Sequence, residues 1–179
     1  MENTNRLTNE MASTLLSMKK IFVEKPGKPL RLQINEKNGK QEIRLQSEDG
    51  IEEFSLYINR SSKRIAKVTF HHMERNFNHC LFRLDINGAP HTNPREANEY
   101  VPDYLKKYKG VSLGRTHVHH YVEGYGLELS WALPLKETKF SGCNLRDIEE
   151  SFQKIIDTVC EVINLDERII YDRLLSYGQ

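Results

Sequence analysis

The feature that most constrains the fold of this chain is an alternation of apolar and polar residues with a period of two across residues 30–86. Turn signals interrupt the alternation at short intervals, among them Asn38-Gly39 and Asp49-Gly50. Alternation puts the apolar side chains on one face of a strand, and closely spaced turns are typical of an antiparallel meander with one buried face. The pattern predicts five strands, in the segments 30–34, 43–45, 54–58, 66–70 and 82–86.

Two further strands are predicted at 115–122 and 127–133, with a glycine-containing turn between them. The segment that separates them from the first five strands, 87–114, is punctuated by proline and glycine. Such punctuation predicts an irregular backbone, with one short helix at 100–108.

Apolar residues at helical spacing predict helices near both ends of the chain. The first covers 5–20, where Lys19 and Lys20 suit the negative end of the helix dipole. Asn144 with Asp147 offers a capping start for another helix, and a last one is predicted from Asp166. The apolar stripe of the former consists of Ile148, Phe152, Ile155, Val159 and Ile163, and the last helix carries Ile169, Ile170 and Leu174.

Together these elements predict an α+β fold in a single domain, 1–179. The N-terminal helix falls within 1–24, an antiparallel meander sheet of about seven strands within 30–135, and the C-terminal helices within 141–177. We expect the helices to pack on one face of the sheet, because that face carries the apolar side chains.

The composition excludes several classes of protein. A net charge of +1 at pH 7 provides no overall field toward nucleic acid or membrane. The longest apolar stretches are far shorter than a membrane span, so we expect a cytoplasmic protein without a membrane partner. The three cysteines, Cys80, Cys143 and Cys160, lack the spacing of a zinc or redox motif and are expected to be reduced and mostly buried.

The alternation also predicts a polar face on the opposite side of the sheet. His117 and His119 share one face of their strand, and Arg83 and Asp85 share the corresponding face of theirs. His91 follows in a loop that two flanking prolines stiffen. Other residues assigned to this open face are Lys67, Thr69, His71, Arg31, Arg44, Tyr57 and Tyr121.

Two chemistries fit these residues. Imidazoles at i and i+2 on a strand have Cα atoms roughly 6.5–7 Å apart. They can bind one divalent metal ion, with His91 or Asp85 completing the ligands. Alternatively no cofactor is bound, two imidazoles act as base and acid, and Arg83 or Lys67 holds a phosphate. The predicted catalytic residues are His91, His117, His119, Arg83 and Asp85, and the predicted substrate-binding residues are Lys67, His71, Tyr121 and Arg44.

A structural interpretation stands beside each of these assignments. A His-x-His pair in a half-exposed strand is often ordinary surface, and Asp85 beside Arg83 is also typical of a cross-strand ion pair. Tyr121, Tyr125 and Trp131 are suited to stacking on bases, but packing around the sheet is the more common role of such residues.

Three elements in this order resemble an uncharacterised domain family of Gram-positive bacteria and their prophages. They are Arg-x-Asp at 83–85, Gly-x-Pro-His-x-Asn-Pro at 88–94 and Thr-His-x-His at 116–119, and the resemblance covers roughly residues 50–165. In length, expected fold and histidine-rich site the chain is also similar to prophage-encoded anti-CRISPR proteins that truncate the guide RNA of Cas9. That likeness implies RNA, and with it Cas9, as partners in the cytoplasm of a bacterial host.

The leading hypothesis from the sequence is therefore an intracellular endoribonuclease, either metal-free or metal-assisted. A second is a non-enzymatic inhibitor or toxin/antitoxin-like protein that binds a partner protein, with structural histidines. A third is a phosphodiesterase that acts on a small nucleotide.

Overall fold

The computed structural model describes residues 7–33, 39–60, 67–125, 129–145 and 147–172. Its helices are α1 Asn9–Ser17, α2 Asp103–Lys106 and α3 Ile148–Val162, and two 3-10 turns lie at Leu135–Glu137 and Lys139–Gly142. Its strands are β1 Lys20–Phe22, β2 Leu30–Leu32, β3 Lys40–Ser47, β4 Glu53–Arg60, β5 Val68–Glu74, β6 His79–Ile86, β7 His91–Thr92, β8 Ser112–Gly114, β9 His117–His120, β10 Trp131–Pro134 and β11 Ile169–Tyr171.

A seven-stranded antiparallel sheet forms the centre of the fold, in the order β1-β3-β4-β5-β6-β9-β10. The predicted α+β class and number of strands are confirmed in this coarse form. The strands β3, β4, β5 and β6 follow one another in the sheet as in the predicted meander. Parts of the expected pattern at 34–38, 61–66, 126–128 and 173–179 lie outside the described residues.

The first strand of the sheet lies within the segment 1–24, for which the sequence predicts only the N-terminal helix. The helix ends at Ser17, and Lys20–Phe22 pairs with β3. The ammonium group of Lys20 is fully buried and reaches back to the end of α1. There it donates to the backbone oxygens of Leu15, Leu16 and Met18 at 2.8, 3.0 and 2.8 Å. Lys20 thus satisfies the carbonyls of the helix end from the sheet.

The second correction concerns the strand predicted at 30–34 and the helix predicted from Asp166. Leu30–Leu32 does not join the main sheet but pairs in parallel with Ile169–Tyr171, which is therefore a strand. Adjacent isoleucines and a tyrosine favour extended backbone, and a partner strand from distant sequence stabilises it. The periodicity of one segment carries no information about a partner strand that is distant in sequence.

Strand side chains and α3 contribute to one buried apolar cluster. The rings of Phe70 and Phe152 lie 5.9 Å apart between their centroids, which joins β5 to α3. The predicted apolar stripe of α3 is buried at all five positions.

Asp147 is the N-cap of α3. Its side chain accepts a hydrogen bond from the backbone nitrogen of Glu150 at 3.0 Å.

A smaller buried cluster surrounds Trp131, which is fully buried against the edge of the Tyr125 ring. This environment supports packing as the role of both aromatic residues. The three cysteines are free, with Cys80 and Cys160 buried. None of the helices within the described ranges combines the length and hydropathy that crossing a bilayer requires.

Replacing Lys20 by Met should reduce the free energy of unfolding by about 2 kcal/mol, because three backbone oxygens lose their hydrogen-bond donor. Urea unfolding measures this loss. Lys19→Met is the matched control: among the described residues Lys19 forms exposed ion pairs with Glu48 and Asp166, so its loss should matter far less. Equal effects of the two substitutions would contradict this role of Lys20.

Burial lowers the pKa of His72 well below its usual value, so this imidazole is neutral in the folded protein. The unfolded chain takes up a proton near pH 6.5 that folded His72 does not, and the unfolding free energy must fall as pH decreases from there. His72→Phe keeps a ring beside Phe54 and removes this titration. The unfolding free energy of this variant should therefore depend less steeply on pH than that of the wild type, by up to about 1.4 kcal/mol per pH unit. Parallel urea-unfolding profiles from pH 7.5 to 5 would show this expectation to be wrong.

Candidate functional site

The site is set by the pairing of β6 with β9. In this antiparallel register Arg83 lies opposite His119 and Asp85 lies opposite His117. The four side chains belong to one face of the sheet, as the alternation predicted. The face is not open at this point, because His117 and His119 are each only 1% exposed.

The chain turns back over this face immediately after β6. Asn87 has a positive φ of 51°, which asparagine tolerates better than most residues. Gly88 follows so close to Asp85 that an added Cβ would lie 3.3 Å from the Asp85 Cβ. The next element, β7, starts at His91, which pairs with Gly114 of β8. His91 therefore belongs to a short strand rather than to the predicted loop.

This turn brings three imidazole rings together. The ring centroid of His91 lies 5.2 Å from that of His117 and 4.6 Å from that of His119, and the latter two are 4.6 Å apart. One ring nitrogen from each histidine lies within 4.8 Å of the others. The three histidines singled out from the sequence thus form one cluster.

Hydrogen bonds to carbonyl oxygens determine the protonation of two of these rings. His119 Nδ1 lies 2.7 Å from the backbone oxygen of Leu129. His91 Nε2 lies 3.2 Å from that of Ser130 and 3.1 Å from Asn93 Oδ1. Since these oxygens only accept, the two nitrogens carry the hydrogen. In the neutral rings, His119 Nε2 and His91 Nδ1 therefore hold the lone pairs.

His117 presents a different environment. Its Nδ1 is buried and has no hydrogen-bond partner among the described residues, and its Nε2 lies 3.6 Å from Asp85 Oδ2. Burial, followed by the neighbouring imidazole of His119, lowers the pKa of His117 to about 4. Burial and His119 also lower the pKa of His91. Both rings are accordingly neutral at neutral pH.

Asp85 connects the cluster to cationic and hydroxyl groups. Its Oδ2 accepts from Arg83 Nε at 2.8 Å and lies 3.4 Å from His119 Nε2, and its Oδ1 accepts from Thr69 Oγ1 at 2.7 Å. Burial alone would raise the pKa of Asp85, but its contact with His119, the hydrogen bond from Thr69 and the charge of Arg83 hold it well below its usual value. Asp85 therefore remains an anion that fixes Arg83.

Asn93 is the residue of this site to which the sequence analysis gave no role. Asn93 is 2% exposed. Its Nδ2 donates to the backbone oxygen of Ala132, and its Oδ1 accepts from the backbone nitrogen of Ala132, each at 2.9 Å. It thereby occupies the free edge of β10 while its Oδ1 accepts from His91. The sequence feature that indicates Asn93 as a site residue is its position two residues after His91 in the Gly-x-Pro-His-x-Asn-Pro element.

Two clefts flank the three histidines. The larger, about 650 Å³, is lined by residues that include His71, Met73, Cys80, Arg83, His91 and His119. The smaller, about 210 Å³, is lined by residues that include Lys67, Thr69, Arg83, Asp85, His91 and His117. Arg83 and His91 border both. Burial raises the pKa of the Cys80 thiol to about 12, so Cys80 does not supply a thiolate nucleophile.

The structure brings most, but not all, of the predicted site residues together. Lys67 and His71 border the clefts beside the histidines. Arg44 lies on β3, separated from β6 by two strands, and lines another cleft. Tyr121 packs against the main apolar cluster, and its hydroxyl donates to the backbone oxygen of Leu7 at 2.6 Å. Neither Arg44 nor Tyr121 lines the two clefts beside the histidines.

The arrangement is chemically suited to binding a metal ion. Three imidazoles each place one ring nitrogen within 4.8 Å of the others, and two of the rings are oriented by backbone carbonyls, as is common for metal-binding histidines. Asp85, which contacts two of the rings, is not part of the three-nitrogen group. It acts instead as an outer partner that holds Arg83. The histidines that would bind a metal are therefore His91, His117 and His119.

Replacing Asn93 by Ala should reduce the free energy of unfolding by about 2–4 kcal/mol, because the buried backbone groups of Ala132 lose their partners. The Nε2–H of His91 should also lose one of its two acceptors while it keeps Ser130, and ¹⁵N NMR of the imidazole detects this change in hydrogen bonding. Asn76→Ala removes an exposed amide contact to Glu52 and serves as the control with little effect. A stable Asn93→Ala variant with unchanged ¹⁵N resonances of His91 would refute this positioning role.

Comparisons with known proteins identify the family of the chain and do not identify an activity. No match was found among curated proteins or among solved structures. Residues 7–164, which include every residue of the three-histidine cluster, match a single family model. The chain belongs to this family, DUF6978, a family of unknown function.

Proposed function

We propose that the chain is a metal-dependent phosphodiesterase that cleaves RNA, with one divalent transition-metal ion bound by His91, His117 and His119. The observation that carries the proposal is the convergence of three imidazole nitrogens within 4.8 Å on a buried face of the sheet. Ligands of this type suit zinc and its neighbours in the transition series better than magnesium or calcium. Three protein ligands also leave a coordination position open, as catalytic sites require.

The outer contacts of the cluster support this assignment. The hydrogens of His119 Nδ1 and His91 Nε2 are held by backbone carbonyls, which leaves one lone pair on each ring for an ion. A metal-free acid–base pair needs one protonated imidazole, and burial keeps two of the three rings, His91 and His117, neutral. When bound, the ion would supply Lewis-acid activation of a phosphate oxygen and of water.

The charged side chains around the cluster suit a phosphodiester. Arg83 borders both clefts, and Lys67 borders the smaller one. A phosphate at the histidines would meet the Arg83 guanidinium, a donor that matches phosphate oxygens in geometry. The larger cleft provides space for a flanking nucleotide beside His71.

RNA as the substrate rests on the resemblance to guide-RNA-truncating anti-CRISPR proteins. A net charge of +1 is low for a protein that captures free RNA from solution. It suits an enzyme whose RNA is already held by another protein. We therefore propose guide RNA bound to Cas9, inside a bacterial cell, as the substrate to test first.

After reconstitution with zinc, the protein should hold about one equivalent of metal and cleave labelled guide RNA in its Cas9 complex. His117→Ala and His119→Ala should each reduce the cleavage rate by at least about 100-fold, because each removes a ligand. EDTA should abolish cleavage, and zinc should restore it. His79→Ala is the matched control, since His79 lies on β6 beside Phe77 and Tyr121, away from the cluster.

The remaining outcomes separate the alternatives. Bound metal with intact RNA would refute RNA cleavage, and hydrolysis of a small diester by the same protein would favour a nucleotide phosphodiesterase. Cleavage that persists in EDTA would refute the metal requirement. Inhibition of Cas9 by a His91/His117/His119 triple-Ala variant would favour the protein-binding inhibitor.

A further inference from the structure

Arg83 occupies the one nitrogen of His119 that a metal ion would need. Its Nη2 lies 3.1 Å from His119 Nε2, and a guanidinium can only donate a hydrogen bond. The other ring nitrogen, Nδ1, donates to the backbone oxygen of Leu129 at 2.7 Å. The neutral ring therefore has a single lone pair, and Arg83 holds it.

A metal ion and Arg83 cannot share this lone pair. Coordination by Nδ1 instead would require His119 to abandon its carbonyl partner while remaining buried at 1% exposure. The positive charges of the ion and the guanidinium would also repel each other at this distance. Metal binding at His119 must consequently break the Arg83–His119 hydrogen bond.

The side chain of Arg83 has both an anchor and a place to move. Its Nε and Nη2 each lie 2.8 Å from Asp85 Oδ2, and Thr69 fixes the other oxygen of that carboxylate. The side chain is 39% exposed and borders both clefts. Rotation about the Asp85 contact would release Nη2 from His119 toward the space where a substrate would lie.

We infer that Arg83 is an exchangeable residue that caps His119 in the metal-free protein and binds a phosphate oxyanion once a metal ion takes its place. The inference rests on the proposed metal site and adds to it a coupling between two ligands. Metal binding releases the Arg83 guanidinium from His119, so that it can bind the anion. The bound anion in turn keeps the guanidinium away from His119 Nε2. By thermodynamic linkage each ligand must tighten the binding of the other.

The test measures zinc affinity by competition with a chromophoric chelator, with dimethyl phosphate as the anionic probe. Arg83→Gln should bind zinc about tenfold more tightly than the wild type, because no charge-assisted hydrogen bond has to be broken. Lys67→Met removes a nearby charge that has no contact with His119 and should change the affinity much less. Dimethyl phosphate should tighten zinc binding in the wild type and have no such effect in Arg83→Gln.

Two results would overturn the inference while leaving the metal site intact. One is zinc binding by Arg83→Gln that is equal to or weaker than that of the wild type. The other is a dimethyl phosphate effect that survives the substitution. If neither protein binds zinc, the proposed metal site is itself wrong, and the inference fails with it.

A measurement on the wild type alone keeps the inference testable if Arg83→Gln does not fold. Zinc should shift the ¹⁵N and ¹H resonances of the Arg83 guanidinium, since its partner at Nη2 changes. Guanidinium resonances that stay unchanged at saturating zinc would overturn the exchange.

Discussion

The register between β6 and β9 is the constraint on which the rest of the site depends. It sets Arg83 opposite His119 and Asp85 opposite His117, so that two charges and two imidazoles share one small area of the sheet. A slip of one residue would send these groups into the apolar cluster and expose Leu84 and Val118. The apolar face thus enforces the geometry of the polar one.

Burial of this polar face gives the site its chemical character. A buried carboxylate and buried imidazoles are costly unless they are paired, and here Arg83, Thr69 and backbone oxygens pair with them. The same burial lowers the pKa of His91 and of His117, so these two rings are neutral at neutral pH. The pairing of Arg83 with His119 is the contact in this network that a bound metal would have to replace.

Much of the sheet was predictable because its alternation is a local property. The strands from β3 to β6, the shared face of His117 and His119, and the apolar stripe of α3 all follow from periodicity and turn residues. The incorrect predictions concern segments whose secondary structure depends on contacts with residues distant in sequence. Lys20 serves both β1 and the end of α1, and Ile169–Tyr171 is a strand because Leu30–Leu32 lies beside it.

The sequence by itself determined which side chains share a face, because the direction of a side chain in a strand depends only on its position in the alternation. It also indicated the three histidines. Only the tertiary structure decided that the face is buried, that Asn93 occupies the edge of β10, and which nitrogen of each ring holds a lone pair. These outcomes depend on hydrogen bonds such as those from His91 to Ser130 and from Asn93 to Ala132, whose partners lie 39 residues apart and meet only in the folded chain.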